Sequence, residues 1–158
     1  MENNIGLILS KRAQLSGSTE AYVDSKSGFR LTFKELDSRC NQVANMLVSK
    51  GVVKGDRVAI CARNSPEWCL AFMAITQIGA IAVPMNSWWQ GREIEYGLTD
   101  SGSKLVIADP PRLAQMQDAL TRLGIDAVIA KPEDESHYPE FYSVASSFEA
   151  YTEAEIAG

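Results

Sequence analysis

Along this chain the apolar positions switch repeatedly between the two-residue period of strands and the period of about 3.6 residues that marks helices. Ala21 to Phe33 reads as a hairpin, two short strands around a turn at Asp24–Gly28. Thr32 with Glu35 three positions later has the form of a capping box, and Leu31 and Leu36 stand where a hydrophobic staple would form. Leu36, Cys40, Val43, Ala44 and Leu47 then recur at helical spacing, and Gly51 supplies the stop.

The same alternation continues downstream. Lys54-Gly55-Asp56 is a turn that feeds a strand at Arg57–Cys61. Ser65 and Pro66 restart a helix as N-cap and first residue, and it should run to Ile78 and end at Gly79. Ala80–Val83 is expected to be a short buried strand closed by Pro84. A helix over 91–101 is centred on Ile94 and Leu98, and Leu105–Ala108 is a further strand. Asp109-Pro110-Pro111 opens a helix carrying Leu113, Met116 and Leu120, Gly124 ends it, and Ile125–Ala130 forms the last strand. Repeated β-α units with apolar strands predict an α/β fold: a parallel sheet with helices on both faces, preceded by the short β-hairpin.

Composition sharpens this picture. With 158 residues, 46% of them hydrophobic, the chain can bury a core of single-domain size and is too apolar for a disordered protein. The formal net charge of −5 argues against a nucleic-acid partner, which would call for a basic face. Seven of the acids lie in residues 131–158 against Lys131 alone, so residues 1–130 carry a net charge of +1. The expected division is an α/β body over 1–130 and an acidic, linker-like tail over 131–158.

Cys40, Cys61 and Cys69 have neither metal-site nor disulfide spacing and are expected to be reduced core thiols of a cytoplasmic protein. The apolar run Trp68–Met85 is interrupted by Gly79 and Pro84, which favours a buried core over a transmembrane segment.

Templates for chemistry are sparse. No GxGxxG follows a strand, and neither a GxxxxGK[ST] loop nor a GxSxG elbow is present. The single histidine, His137, sits in the acidic tail and reads as solvated, as do Glu133-Asp134-Glu135, so no metal site and no catalytic residue is assigned. Ser16-Gly17-Ser18-Thr19 resembles part of a phosphate-gripping loop but follows no strand and lacks a lysine after it; an N-terminal turn is the better reading. Ligands of open parallel sheets collect beyond the carboxyl ends of strands. Asn64 and Asn86 stand there, with Trp88 and Trp89 just beyond, so Asn86, Trp88 and Trp89 are the candidate substrate-binding residues. Their plainer reading is turn-forming asparagines and partly buried tryptophans. Met73, Ile75 and Ile78 read as core.

Taken in order, several of these pieces resemble the N-terminal signature of AMP-forming acyl-CoA synthetases, members of the acyl-adenylate-forming superfamily. The resemblance rests on Leu31-Thr32-Phe33-Lys34-Glu35-Leu36, Ala44, Leu47, Gly51-Val52 and Lys54-Gly55-Asp56-Arg57-Val58-Ala59-Ile60. It continues through Asn64, Glu67, Gly79-Ala80, Val83-Pro84-Met85-Asn86, Glu93, Leu98, Ser101 and Lys104, covering about residues 20–108. Such a family implies a parent enzyme that uses ATP, Mg2+ and CoA, turning a carboxylic acid into an acyl-AMP and then a thioester. The family's Ser/Thr/Gly-rich phosphate loop, ribose-binding acid and lid lysine map onto no residue here.

The expectation is therefore the partial N-terminal subdomain of such an enzyme, inactive by itself, with a fatty or other apolar acid as the parent's default substrate. A free-standing binding module of the same fold is the alternative, as is part of an amino-acid or aryl-acid adenylation enzyme. Trp88-Trp89 and apolar surface left uncovered would favour a homo-oligomer.

Overall fold

Side-chain caps open three of the helices in the computed structural model, which describes residues 4–25 and 28–130. The helices are α1 (Leu7–Ser16), α2 (Phe33–Ser49), α3 (Pro66–Gln77), α4 (Gly91–Ser101) and α5 (Pro110–Leu123). The strands are β1 (Glu20–Val23), β2 (Arg30–Thr32), β3 (Arg57–Cys61), β4 (Ile81–Pro84), β5 (Leu105–Ala108) and β6 (Asp126–Ile129). Thr32 Oγ1 accepts the Glu35 N–H at 3.3 Å, and the Glu35 carboxylate accepts the Thr32 N–H at 2.8 Å, completing the expected capping box of α2. Ser65 accepts the Trp68 N–H at 3.2 Å and Asp109 accepts the Arg112 N–H at 3.2 Å, each with proline in the first turn that follows. Such caps contribute about 1 kcal/mol apiece.

β1 and β2 form the antiparallel hairpin, and β3 to β6 form a parallel sheet in the order β4-β3-β5-β6. Val58 lies opposite Ala82 on one side and Leu105 on the other, and Leu105 lies opposite Asp126. The chain thus goes outward from β3 to β4, returns past β3 to β5, and continues to β6. Alternating side chains divide the core into two layers. Val58, Ile60, Leu105, Ile107 and Val128 pack with α1, α2 and α3, whereas Ala59, Cys61, Val106 and Ala108 pack with α4 and α5. The fold is the α/β arrangement expected, with helices on both faces of a parallel sheet.

Three differences from the sequence reading have physical causes. β4 is not a buried strand: it is the sheet edge, Ile81 is 50% exposed, and Pro84 belongs to the strand. An edge tolerates proline because one row of its backbone groups faces outward. Helix α1 was not signalled, since Leu9 is its only buried residue and no apolar stripe marks it. Cys40 and Cys61 are buried, but Cys69 is only half-buried and is therefore not a core thiol.

Ser16–Thr19 is the end of α1 and the turn into β1; the Gly17 and Thr19 carbonyls accept the Lys34 and Phe33 N–H groups at 3.0 Å each. Ile75 and Ile78 are in the core, and Met73 packs half-buried against it. His137 and the acidic tail lie outside the described residues. Among the described residues no helix is long and apolar enough to cross a membrane.

Candidate functional site at the carboxyl end of the sheet

Because β4 and β5 leave β3 on opposite sides, the loops following these three strands diverge at the carboxyl end of β3, where parallel sheets leave a crevice. Asp109 follows β5 and caps α5, and its carboxylate reaches sideways to the turn after β3, accepting the Arg63 N–H at 3.0 Å. Arg112, one turn into α5, returns over the same carboxylate with Nη1 3.1 and 3.0 Å from the two oxygens. Its Nε donates to the Ser87 carbonyl, 3.0 Å away in the loop after β4. Both residues are buried, Asp109 6% and Arg112 8% exposed.

Trp88 follows Ser87 and is 74% exposed; the Arg63 guanidinium lies over its indole, 5.1 Å from the ring centroid. The connections close on themselves: Arg63 backbone to Asp109, Asp109 to Arg112, Arg112 to Ser87, and Trp88 back to the Arg63 side chain. A guanidinium over an exposed indole gains about 0.5–1 kcal/mol.

Asn86 organises the start of this loop. Its Oδ1 accepts the Trp88 N–H at 3.0 Å, and its carbonyl accepts the Trp89 N–H at 3.1 Å. The candidate residues do not converge on one point. Asn86 and Trp88 are exposed at the crevice rim, whereas Trp89 turns onto α4. Gly97 makes room there: a Cβ on it would stand 2.6 Å from Met85 Cε and 2.8 Å from Trp89 Cζ3. Trp89, Arg92, Glu93 and Tyr96 line a shallow groove of about 290 Å³ on this side. Asn64 is exposed in the turn after β3. The partly buried packing foreseen for the tryptophans describes Trp89 and not Trp88.

Cys61, the last residue of β3, is buried beside the ion pair. Burial pushes its thiol up to about 11, with the Asp109 charge adding and Arg112 subtracting. A thiol so placed stays protonated and is no nucleophile at neutral pH. Sequence reasoning missed Arg63, Asp109 and Arg112. The available signal was an acid at a strand end with an arginine three positions on, a spacing that lets both side chains meet on one turn.

Among the described residues no cluster of three or more His, Cys, Asp or Glu side chains is placed to hold a metal ion. Asp109 is engaged by Arg112 and the Arg63 N–H. The described residues around Asp109 therefore do not fit Mg2+.

An open parallel sheet with its loops gathered at a switch point is the arrangement at which α/β folds place their ligand sites. The chain belongs to the AMP-binding enzyme family, which it matches over residues 9–154. It is 40% identical over 108 residues to the long-chain-fatty-acid–CoA ligase FadD13 of Mycobacterium tuberculosis, covering 68% of this chain and 22% of that protein. It is 34% identical over 133 residues to the putative acyl-CoA synthetase YngI of Bacillus subtilis, covering 84% of this chain and 24% of the relative.

Among solved structures, the N-terminal domain of FACL13 from Mycobacterium tuberculosis superposes with a TM-score of 0.83 at 33% identity, covering 95% of this chain and 38% of that one. The anthranilate CoA ligase AuaEII gives a TM-score of 0.80 at 25% identity over 94% of this chain and 28% of that one. The chain thus spans roughly a quarter of the length of the two relatives, at 22% and 24%, and is homologous to the N-terminal domain of acyl-CoA and aryl-CoA ligases.

Proposed function

We propose that this chain is the N-terminal α/β portion of an ATP-dependent acyl-CoA synthetase and that Asn86, Trp88 and Trp89 contribute one wall of its carboxylic-acid site. In the parent reaction a carboxylate oxygen attacks the α-phosphorus of ATP and pyrophosphate leaves. The CoA sulfur then attacks the acyl carbonyl and AMP leaves. Activation is the point of the first step, because a carboxylate is a poor electrophile until its oxygen becomes part of a leaving group.

The observation that carries the reading is the meeting of three loops at the β3/β5 switch point, in a chain 40% identical to a long-chain-fatty-acid–CoA ligase over 108 residues. An exposed planar indole and the likeness to an anthranilate CoA ligase support an aryl acid as the second substrate class.

The described residues supply no Ser/Thr/Gly-rich phosphate loop, which supports a chain inactive by itself. Free cysteines support a reducing, cytoplasmic setting, and exposed Trp88 and Tyr96 support self-association. ATP–pyrophosphate exchange tests the assignment. We expect no exchange from these 158 residues alone, and exchange with fatty or aryl acids from the longer protein that contains them. Exchange with amino acids only would overturn the substrate class, and turnover by this chain alone would overturn its inactivity.

A further inference from the structure

We infer that Asp109 and Arg112 are positioning residues that place Trp88 over Arg63, a role that rests on the reading of this rim as a substrate wall. Trp88 has little of its own to hold it, being 74% exposed and hydrogen-bonded through its N–H to Asn86 Oδ1 at 3.0 Å within the same loop. β4 and β5 are not neighbours, since β3 lies between them. Within this closed set of contacts, the link from α5 to the loop after β4 is the 3.0 Å bond from Arg112 Nε to the Ser87 carbonyl.

Arg112 can make that bond because Asp109 engages its Nη1 and leaves Nε free to point elsewhere. A guanidinium serves two acceptors at fixed angles, which an ammonium cannot do. Asp109 meanwhile fixes Arg63 through its backbone N–H at 3.0 Å. One carboxylate therefore sets the position of the cation, and its arginine partner sets the position of the indole above it. The wall's geometry depends on this pair even though neither residue faces the crevice as a ligand would.

The test uses the 158-residue chain labelled with 5-fluorotryptophan, whose three resonances are assigned by single Trp→Phe variants. Trp68, stacked on Phe72 at 5.7 Å in the other core layer, reports folding independently. Arg63→Gln should shift the Trp88 resonance, because the cation leaves the ring face. Arg112→Lys should shift the Trp88 resonance to that of an indole without a cation over its face, with Trp68 unchanged, and adding Arg63→Gln should then shift it no further. Asp109→Asn keeps a capping oxygen, so it remains informative where a harsher variant unfolds, and it should give the same displacement.

A Trp88 resonance unmoved by Arg112→Lys and Asp109→Asn, yet still moved by Arg63→Gln, would overturn the positioning role. In the longer enzyme, Arg112→Lys should raise KM for the acid about tenfold with kcat within about twofold. A displaced Trp88 with KM unchanged would leave the positioning role standing and sink the substrate-wall reading, so the two failures are distinguishable.

Discussion

Lys104 Nζ lies 3.0 Å from the Asp56 carboxylate across 48 positions of sequence, and the same ammonium donates to the Gly51 carbonyl at 2.6 Å. Asp56 immediately precedes β3 and Lys104 immediately precedes β5, so the pair clips the amino ends of the two central strands together. Arg57 adds to the clip, donating from Nε to the Ser101 carbonyl at 3.0 Å and from Nη2 to the Gly102 carbonyl at 2.9 Å, at the end of α4. Gly51, Asp56, Arg57, Ser101 and Lys104 are among the positions that carry the family resemblance. Their work is architectural and sits at the opposite end of the strands from the crevice.

This clip should make stability depend on acid pH in a defined direction. The Asp56 carboxyl is held below its usual value, first by the Val53 N–H and then by Lys104. A depressed folded-state value means its contribution is present above the unfolded value of about 3.9 and is lost as pH falls through the lower folded value. Lys104 is half exposed, so solvent screening keeps the ion pair to about 1 kcal/mol or less. Urea unfolding of the native chain and of Asp56→Asn should therefore differ at pH 7 and converge as pH falls through the lowered folded value, below the unfolded value of about 3.9. A constant difference across that range would show that Asp56 ionisation contributes nothing.

Asp109→Ala should be far more damaging than Asp109→Asn. Alanine leaves Arg112, 8% exposed, with a buried charge and no carboxylate, a loss of about 3–5 kcal/mol. Asparagine is neutral and offers one oxygen where the carboxylate offers two, so the paired grip on Arg112 is lost while part of that stability remains. Replacing both partners by apolar residues, as in Asp109→Leu with Arg112→Met, should recover much of the loss. Chemical denaturation measures all three, and an Asp109→Ala cost below about 0.5 kcal/mol would contradict the buried ion pair.

Gly6 is fixed by a close approach. A Cβ at this position would stand 2.3 Å from the Gln77 Cα and N, where α3 ends, and backbone cannot move aside as a side chain can. Asn4 donates to the Gln77 carbonyl at 3.3 Å, and the Gln77 side chain donates to Asn41 in the core, so the start of α1 is docked on a polar lock. Gly6→Ala should cost about 1–3 kcal/mol and free α1 from this contact. Hydrogen exchange should then rise across α1 while β3 and β5 stay protected; unchanged α1 exchange would show that the contact is dispensable.

How legible the sequence was follows from where each signal is stored. α2, α4 and α5 could be bounded closely because Thr32, Asp109, Gly102 and Gly124 act through bonds within a few residues, and local chemistry is written locally. Residues Arg57–Cys61 and Leu105–Ala108 were readable as strands because burial on both faces demands unbroken apolar runs. The edge position of β4 was not readable, since Ala80–Val83 is apolar whichever neighbour it has, and strand order is a property of the whole sheet. The rim of the crevice was half legible. Asn86 and Trp88 stood out as strand-end residues, but Arg63, Asp109 and Arg112 become a unit only when three loops separated in sequence are brought together.

The three thiols should be distinguishable by a disulfide reagent, because their burial differs. Cys69 is half-buried, and burial raises it, with Glu67 adding to the effect. Cys61 is raised to about 11, and Cys40, on the buried face of α2, is raised further still, chiefly by desolvation. Since the thiolate is the reacting species, the native chain at pH 8 should release one equivalent of thionitrobenzoate, slowly and from Cys69, and three equivalents after denaturation. Cys69→Ser should abolish the native equivalent.

Raised folded values also set a sign for alkaline stability. Unfolded thiols ionise near pH 8.5 while native Cys61 stays protonated to about 11, so stability is intact below the first value and falls as pH rises between them. Cys61→Ala should flatten that decline in urea unfolding between those pH values. Rapid native labelling of Cys61 would instead mean that the carboxyl end of β3, under Asp109 and Arg112, opens to solvent, and would contradict the packing described for that end of the sheet.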